Sequence, residues 1–573
     1  MAEQMQSSQV NILSGLAQAA RLPFLVRLRS PVPAQWSVAR SSPARREWLQ
    51  LLLLVAVHVE LWWLVALLVH APADIQPDMA EAFAWGQELQ WGYHKHPPFW
   101  AWLARGWFAL FPAADWAFFL LSVVNSAAGL VGVWAIAGRY VSGERRLAAV
   151  MLLELVPFYH FFAFNYNANA IQLSLWPWTI YAFLVSFETR RVAASVGFGL
   201  LAAATMLSKY FGGVLLAGCA LAALTDPRAR DYFRSPAPYL GALAFGLAMA
   251  PHVMWLLQAA SGPLDYLASK TAYPFGFILE RAGHFIVGCL LLNGALAVML
   301  AAVWRQMRRD GPAVAAIEQG GAADRLRVRR LMVLVVAPIL VTVVVALVGN
   351  VRLSTKFALP LFALLPLLWM VLYGARFGGA ALRTVMLTAG GLMFAALLLA
   401  VPAAALKFRF DKSHYAEPRA IVAREVTQLW HAAMRTPLRL VAGTEAYAFA
   451  ATFYSADHPG NFTDFSQAKA PWVDDARLGR DGLAIICLAQ DGACLDRISD
   501  FEAFDSVRLT LDGVAKDFLG MRGAAFSFVV LLVRPGQDLR APRDPDCADG
   551  VGCDREQASA AAATDSMAAE FRP

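Results

Sequence analysis

Charge is scarce in this chain: Asp, Glu, Lys and Arg together make up 16% of 573 residues, while 58% are hydrophobic. So apolar a composition excludes an ordinary soluble protein of two or three domains. Cysteine is sparse as well, and no two of the six are spaced C-x-x-C, which argues against a zinc site. No Gly-rich phosphate loop and no cytoplasmic nucleotide-binding domain can be read, so a nucleotide-activated substrate is not expected. The absence of an internal repeat speaks against the repeat-built transporter folds. Nor is a nucleic-acid module visible; the net charge of +7 comes from Lys and Arg clustered between apolar runs, where they report membrane topology.

What the chain does have is a succession of apolar runs. The first, Trp48 to His70, is long enough to cross about 30 Å of hydrocarbon at about 1.5 Å per residue. Further spans are expected at 115–138, 147–165, 168–187, 193–208, 211–225, 237–258, 284–304, 331–349, 357–373 and 383–405, roughly eleven to thirteen in all once the short ones are allowed for. Residues 1–46 hold six arginines and no acid after Glu3, and read as a basic cytoplasmic arm. The connections carrying Arg139/Arg145/Arg146, Arg190/Arg191, Arg228/Arg230/Arg234, Arg305 to Arg330 and Arg376/Arg383 share the arm's side under the positive-inside rule. An odd number of spans then sends the C-terminus outside. The close cysteine pairs Cys487/Cys494 and Cys547/Cys553 suit disulfides in an oxidising compartment, which agrees with that orientation.

The expected fold is therefore mainly α, a polytopic transmembrane helical bundle over 47–405 followed by a small external α/β domain over 406–535. Within that domain a helix is expected at Pro418–Ala433 and strands at Leu438–Ala442, Leu483–Ala489, Val507–Leu511 and Phe526–Leu532. Residues 536–573, rich in Pro, Asp, Ala and Ser, read as a disordered tail.

Candidate chemistry concentrates in the first external loop, 71–114. Its stretch Asp74–Trp102 packs Asp74, Asp78, Glu81 and Glu88 with His94, Lys95 and His96 beside the membrane. One reading is an aromatic-rich interfacial belt; the other is a site where a carboxylate takes a proton and a cation receives a phosphate. By the topology above, Asn165, Asn167, Asn169, Lys209, Tyr210, Arg352 and Lys356 fall on the same side, with lipid-headgroup snorkelling as the alternative for the three cations. His94 and His96 are the candidate ligands of a divalent metal, although alternate residues share a face only in a regular strand. His58, Glu60, Glu154, His160 and His252, inside expected spans, read as packed polar pairs.

In their order these residues carry a resemblance. Asp78, then Trp91-Gly92-Tyr93, then His96-Pro97-Pro98 resembles the first external loop of the family 39 glycosyltransferases, the membrane enzymes related to protein O-mannosyltransferases and the lipid A aminoarabinose transferase. Leu207-Ser208-Lys209-Tyr210 and Lys356-Phe357-Ala358-Leu359-Pro360 are similar to further elements of the family. The resemblance implies a GT-C-like bundle in the bacterial inner membrane that moves a sugar, with inversion, from a polyprenyl-phosphate donor to a periplasmic acceptor, lipid A, lipopolysaccharide core or another envelope glycan, with protein as the lesser alternative. Asp78 would be the catalytic base, with Lys95, His96, Lys209, Tyr210, Arg352 and Lys356 on the donor and Asn165, Asn167 and Asn169 on the sugar or acceptor. One departure stands out: Met79 occupies the place where relatives have a Glu beside the Asp, leaving Glu81 as the candidate second carboxylate. A flippase for the same lipid-linked saccharide is the alternative of a different class.

Overall fold

The computed structural model describes residues 42–260, 262–268, 273–309, 322–410 and 415–539. The basic arm through residue 41, most of the Gly311–Asp324 loop, and the tail from residue 540 with Cys547 and Cys553 lie outside the described residues.

Every expected span coincides with helical structure. Among the described residues six helices are long and apolar enough to cross a membrane by length and composition, and shorter apolar helices at Val192–Ser208, Gly212–Thr225 and Leu365–Arg376 fall on other expected spans. Three spans differ in detail, each for a local reason. The expected 147–165 helix is α-helical only over Gly143–Met151 and continues as 3-10 turns at Leu152–Leu155 and Pro157–Tyr159. Pro157 has no N–H to donate and pushes Val156 into an extended conformation, φ −104° and ψ 112°. The expected 284–304 span begins earlier, as Phe275–Leu292, and resumes after Asn293 as Gly294–Arg309. Glu280, Arg281 and His284 diluted its apolar signal. The 357–373 span opens with a 3-10 turn, Thr355–Ala358, before the helix Leu365–Tyr373, and Pro360 and Pro366 lie in the intervening stretch and first turn.

The basic connections meet at one end of the bundle. Arg330, buried, pairs with Glu188 at 2.7 Å and Asp226 at 2.8 Å, Arg139 also pairs with Glu188, and the Thr384 hydroxyl donates to Gln306 at 3.2 Å. Burial of a lone guanidinium is costly, so two carboxylates around Arg330 act as a clasp between three connections. Inside the bundle His58 bridges Glu154 at 2.7 Å and Ser126 at 2.9 Å, and Trp62 donates to the other Glu154 oxygen at 2.9 Å. His160 stacks on Trp62 at 4.3 Å. These are the packed polar groups expected there; Glu60, by contrast, is exposed.

The C-terminal region carries a five-stranded mixed sheet of order 460–461, 440–443, 483–488, 526–533, 506–514. The first two pairings are parallel and the last two antiparallel. All four expected strands are present to within about three residues, as is the helix, at Arg419–Met434. Cys487 and Cys494 form a disulfide tying the central strand to the helix Gly492–Phe501. Polar residues at the two ends of the loop hold this domain. Asp74, buried, accepts from Lys516 Nζ at 2.7 Å and from Ala420 N at 2.9 Å, and Glu88 takes both terminal nitrogens of Arg477 at 3.2 and 3.3 Å.

Candidate active site

The loop 71–114 folds as two short helices, Pro77–Glu88 and Phe99–Phe108, joined by the Trp91-Gly92-Tyr93 and His96-Pro97-Pro98 turns. Proline suits both helix starts: Pro77 sits in the first turn of one, where its missing N–H is no loss, and Pro98 immediately precedes the other. Glycine is required at 92, because a Cβ there would lie 2.2 Å from the Trp255 ring. The turn is tied down on both sides. His252 bonds to the Trp91 carbonyl at 2.6 Å and to the Tyr210 hydroxyl at 2.8 Å, while Tyr93 stacks on Trp85 at 4.7 Å.

Asp78 lies in the first turn of the Pro77–Glu88 helix, where a negative charge is favoured. Its Oδ2 accepts from the side-chain amide of Asn167 at 3.0 Å and from that of Asn165 at 3.5 Å, and Lys356 Nζ stands 4.0 Å away. The Asn167 oxygen is occupied by the backbone N–H groups of Asn169 and Ala170, at 2.8 and 3.0 Å, so its NH2 must face the carboxylate. Lys209 Nζ donates to Asn169 Oδ1 at 2.5 Å and lies 4.7 Å from the centre of the Phe357 ring. Burial pulls the Lys209 ammonium down to about 7, with Asp78 opposing the shift and Lys356 adding to it. Four separate stretches of chain thus supply Asp78, the three asparagines, Lys209 and Lys356 to one cluster.

Glu81, one turn beyond Asp78, has a different setting. Its side chain is 8% exposed against 42% for Asp78. Burial pushes its carboxyl up to about 8, with Lys95 working against the shift and Glu445 and Asp78 adding to it. Lys95 Nζ donates to Glu81 at 3.2 Å and to Glu445 of the C-terminal domain. Burial alone would lower the Lys95 ammonium, but Glu81 and Glu445 outweigh it and hold the ammonium well above its usual range.

The other expected site residues divide. His96 is held well below the usual imidazole range, by burial first and then by Lys209 and Lys95. It packs edge-on against Trp100 and Tyr266, each 5.9 Å between ring centres, and so shapes the turn. Tyr210 is engaged with His252. Arg352 sits over the Phe277 ring at 5.9 Å. His94 is buried against Trp85, with burial lowering it to about 3, and among the described residues no group of three or more His, Cys, Asp and Glu could hold a metal ion. Sequence reasoning missed Glu445, which no local pattern ties to Lys95, and Phe357, whose only signal is its place beside Lys356.

Comparison with known proteins agrees with this architecture. The family described as dolichyl-phosphate-mannose-protein mannosyltransferase matches residues 95–255, and the chain shares the fold of ArnT. Among individual proteins, the lipid A galacturonosyltransferase RgtD of Rhizobium johnstonii is 26% identical over 262 residues, 45% of this chain and 54% of the relative, so the match spans about half the relative's length. Two crystal structures of ArnT from Cupriavidus metallidurans, one bound to undecaprenyl phosphate and one in the apo state, superpose with TM-scores of 0.55 and 0.53 at 12% and 13% identity. They cover 86% and 87% of this chain and 99% and 100% of ArnT. The chain is accordingly a multi-pass membrane protein of that fold.

Proposed function

We propose that the protein is an inner-membrane glycosyltransferase that moves a sugar from a polyprenyl-phosphate donor to a periplasmic lipid acceptor of the lipid A or lipopolysaccharide-core type. The observation that carries the reading is the Asp78 cluster: an accessible carboxylate oriented by two asparagine amides, with two lysines within one residue's reach. A phosphate-linked sugar needs both kinds of group. The acceptor hydroxyl gives its proton to Asp78, its oxygen forms a bond to the anomeric carbon from the face opposite the phosphate, and the C1–O bond breaks with its electron pair leaving on the polyprenyl phosphate. Lys209 and Lys356 hold the phosphate and offset its developing charge. An ordinary carboxylate is a weak base at neutral pH, so orientation by Asn165 and Asn167 supplies part of the rate.

On this reading the site faces the periplasm, the basic clasp around Arg330 faces the cytoplasm, and residues 406–535 form a periplasmic domain. A single gene deletion tests it. Mass spectrometry of lipid A and core oligosaccharide should show the loss of one sugar residue, restored by the wild-type chain and not by Asp78→Asn. An unchanged envelope glycan profile in the deletion strain, or full restoration by Asp78→Asn, would defeat the proposal. The flippase alternative finds no support in the relatives, and covalently modified acceptor in the wild type alone would separate the two.

A further inference from the structure

The charges at the site do not all come from the membrane domain. Glu445 is the first residue of the helix Glu445–Tyr454 in the C-terminal domain, and its Oε1 accepts from the Lys95 ammonium, which also donates to Glu81. Two sets of contacts fix Glu445 in place. Behind it, Thr444 donates its N–H to Ile486 O at 2.9 Å and its hydroxyl to Asp491 at 2.7 Å, and the Leu488 N–H donates to that hydroxyl at 3.1 Å. Gly443, at φ +130°, lets the strand end approach so closely that a Cβ there would lie 2.0 Å from Ile486 O. Along its length the helix packs against Pro77–Glu88, the helix bearing Asp78 and Glu81: Phe453 meets Phe83 edge-on at 5.1 Å and Phe449 meets Trp85 at 6.3 Å. The Tyr454 hydroxyl accepts from Ile75 N at 2.8 Å. Glu445 therefore reaches Lys95 from a platform that is rigid on both sides.

We propose that Glu445 is a positioning residue of the transfer site, supplied by the C-terminal domain, which holds the Lys95 ammonium where the donor's phosphate meets it; this rests on the glycosyl-transfer reading above. A lysine ammonium has three donors and a flexible four-carbon stem. With Glu81 alone the stem has one anchor; with Glu445 it has two, and the third N–H is left for a phosphate oxygen. The arrangement does not repel an anion at neutral pH. Buried Glu81 keeps its proton up to about pH 8, so Lys95 and Glu445 balance each other. On this proposal Lys95 serves the donor only in a frame that the C-terminal domain completes.

The test uses the full-length protein in lipid nanodiscs with undecaprenyl phosphate as the probe. Glu445→Gln is expected to weaken undecaprenyl phosphate binding roughly three- to tenfold, and Glu445→Asp to recover part of the loss. In the same samples an amine-reactive reagent should label Lys95 several-fold faster in Glu445→Gln, because the carboxylate that binds the ammonium from the C-terminal domain is gone. Binding that is unchanged or tighter in Glu445→Gln, the behaviour of a carboxylate that merely blocks the site, overturns the inference, and so does unaltered Lys95 labelling. A wild-type protein that does not bind undecaprenyl phosphate overturns the functional reading itself, while the labelling still decides whether Glu445 holds Lys95.

Discussion

Asp78 and Glu81 sit one turn apart on the same short helix, yet their surroundings differ. Asp78 is open, faces two asparagine amides and stands at the edge of a lysine pair; Glu81 is buried and bound to a lysine that the C-terminal domain also grips. Spacing on a helix brings two carboxylates close, but solvent access and partners decide which can exchange a proton with a substrate. Met79 stands next to Asp78 in the sequence, and Glu81, two residues on, accepts from the Lys95 ammonium. The same division runs along the whole loop, whose outer acids, Asp74 and Glu88, are engaged by the C-terminal domain.

Breaking the comparison at its strongest point should give the largest effect. Asp78→Asn removes the proton acceptor with little change of shape, and turnover is expected to fall about 10²- to 10⁴-fold; Glu81→Gln should cost less than about tenfold and leave the thermal unfolding midpoint unchanged or raised, since it removes a buried ionisable group. Next come the lysines: Lys356→Ala and Lys209→Ala should each raise the donor KM about ten- to a hundredfold with a smaller fall in kcat, the scale of one hydrogen bond to a charged group.

A subtler effect is the pH dependence of donor binding. Lys209, drawn down to about 7, is charged below that pH and neutral above it in the empty site. An anionic phosphate favours the charged form, so donor affinity should decline as pH rises through 7, by up to about tenfold per unit. Lys209→Arg, which stays protonated, should flatten that slope. The smallest effect is expected at the partly exposed Arg477–Glu88 pair, where Arg477→Ala should lower unfolding stability by about 0.5–1 kcal/mol, against about 3 kcal/mol for Asp74→Asn, which leaves Lys516 facing a neutral group in a buried setting.

Much of this was legible in the sequence, because the bilayer imposes long apolar runs and the positive-inside bias marks their ends. The strands of the C-terminal domain showed in their β-branched and aliphatic runs, such as Leu-Ala-Ile-Ile-Cys-Leu. Hidden were features set by contacts between distant stretches. The helix Glu445–Tyr454 carries aromatic residues on several faces and lacks a clear polar side, because it is packed on both the sheet and the Pro77–Glu88 helix. Asn165, Asn167 and Lys209 could be grouped with Asp78 at one end of the bundle, but not paired with Asp78 and Asn169. Lys95 read as a donor-facing cation, and its partner Glu445 could not be seen because it lies 350 residues away.

The most direct measurement is a single-turnover transfer assay on purified Asp78→Asn and Glu81→Gln, side by side, with donor and acceptor both saturating so that binding drops out. The account predicts that Asp78→Asn loses nearly all of the chemical step while Glu81→Gln keeps most of it. Equal losses in the two variants, or the greater loss in Glu81→Gln, would contradict it.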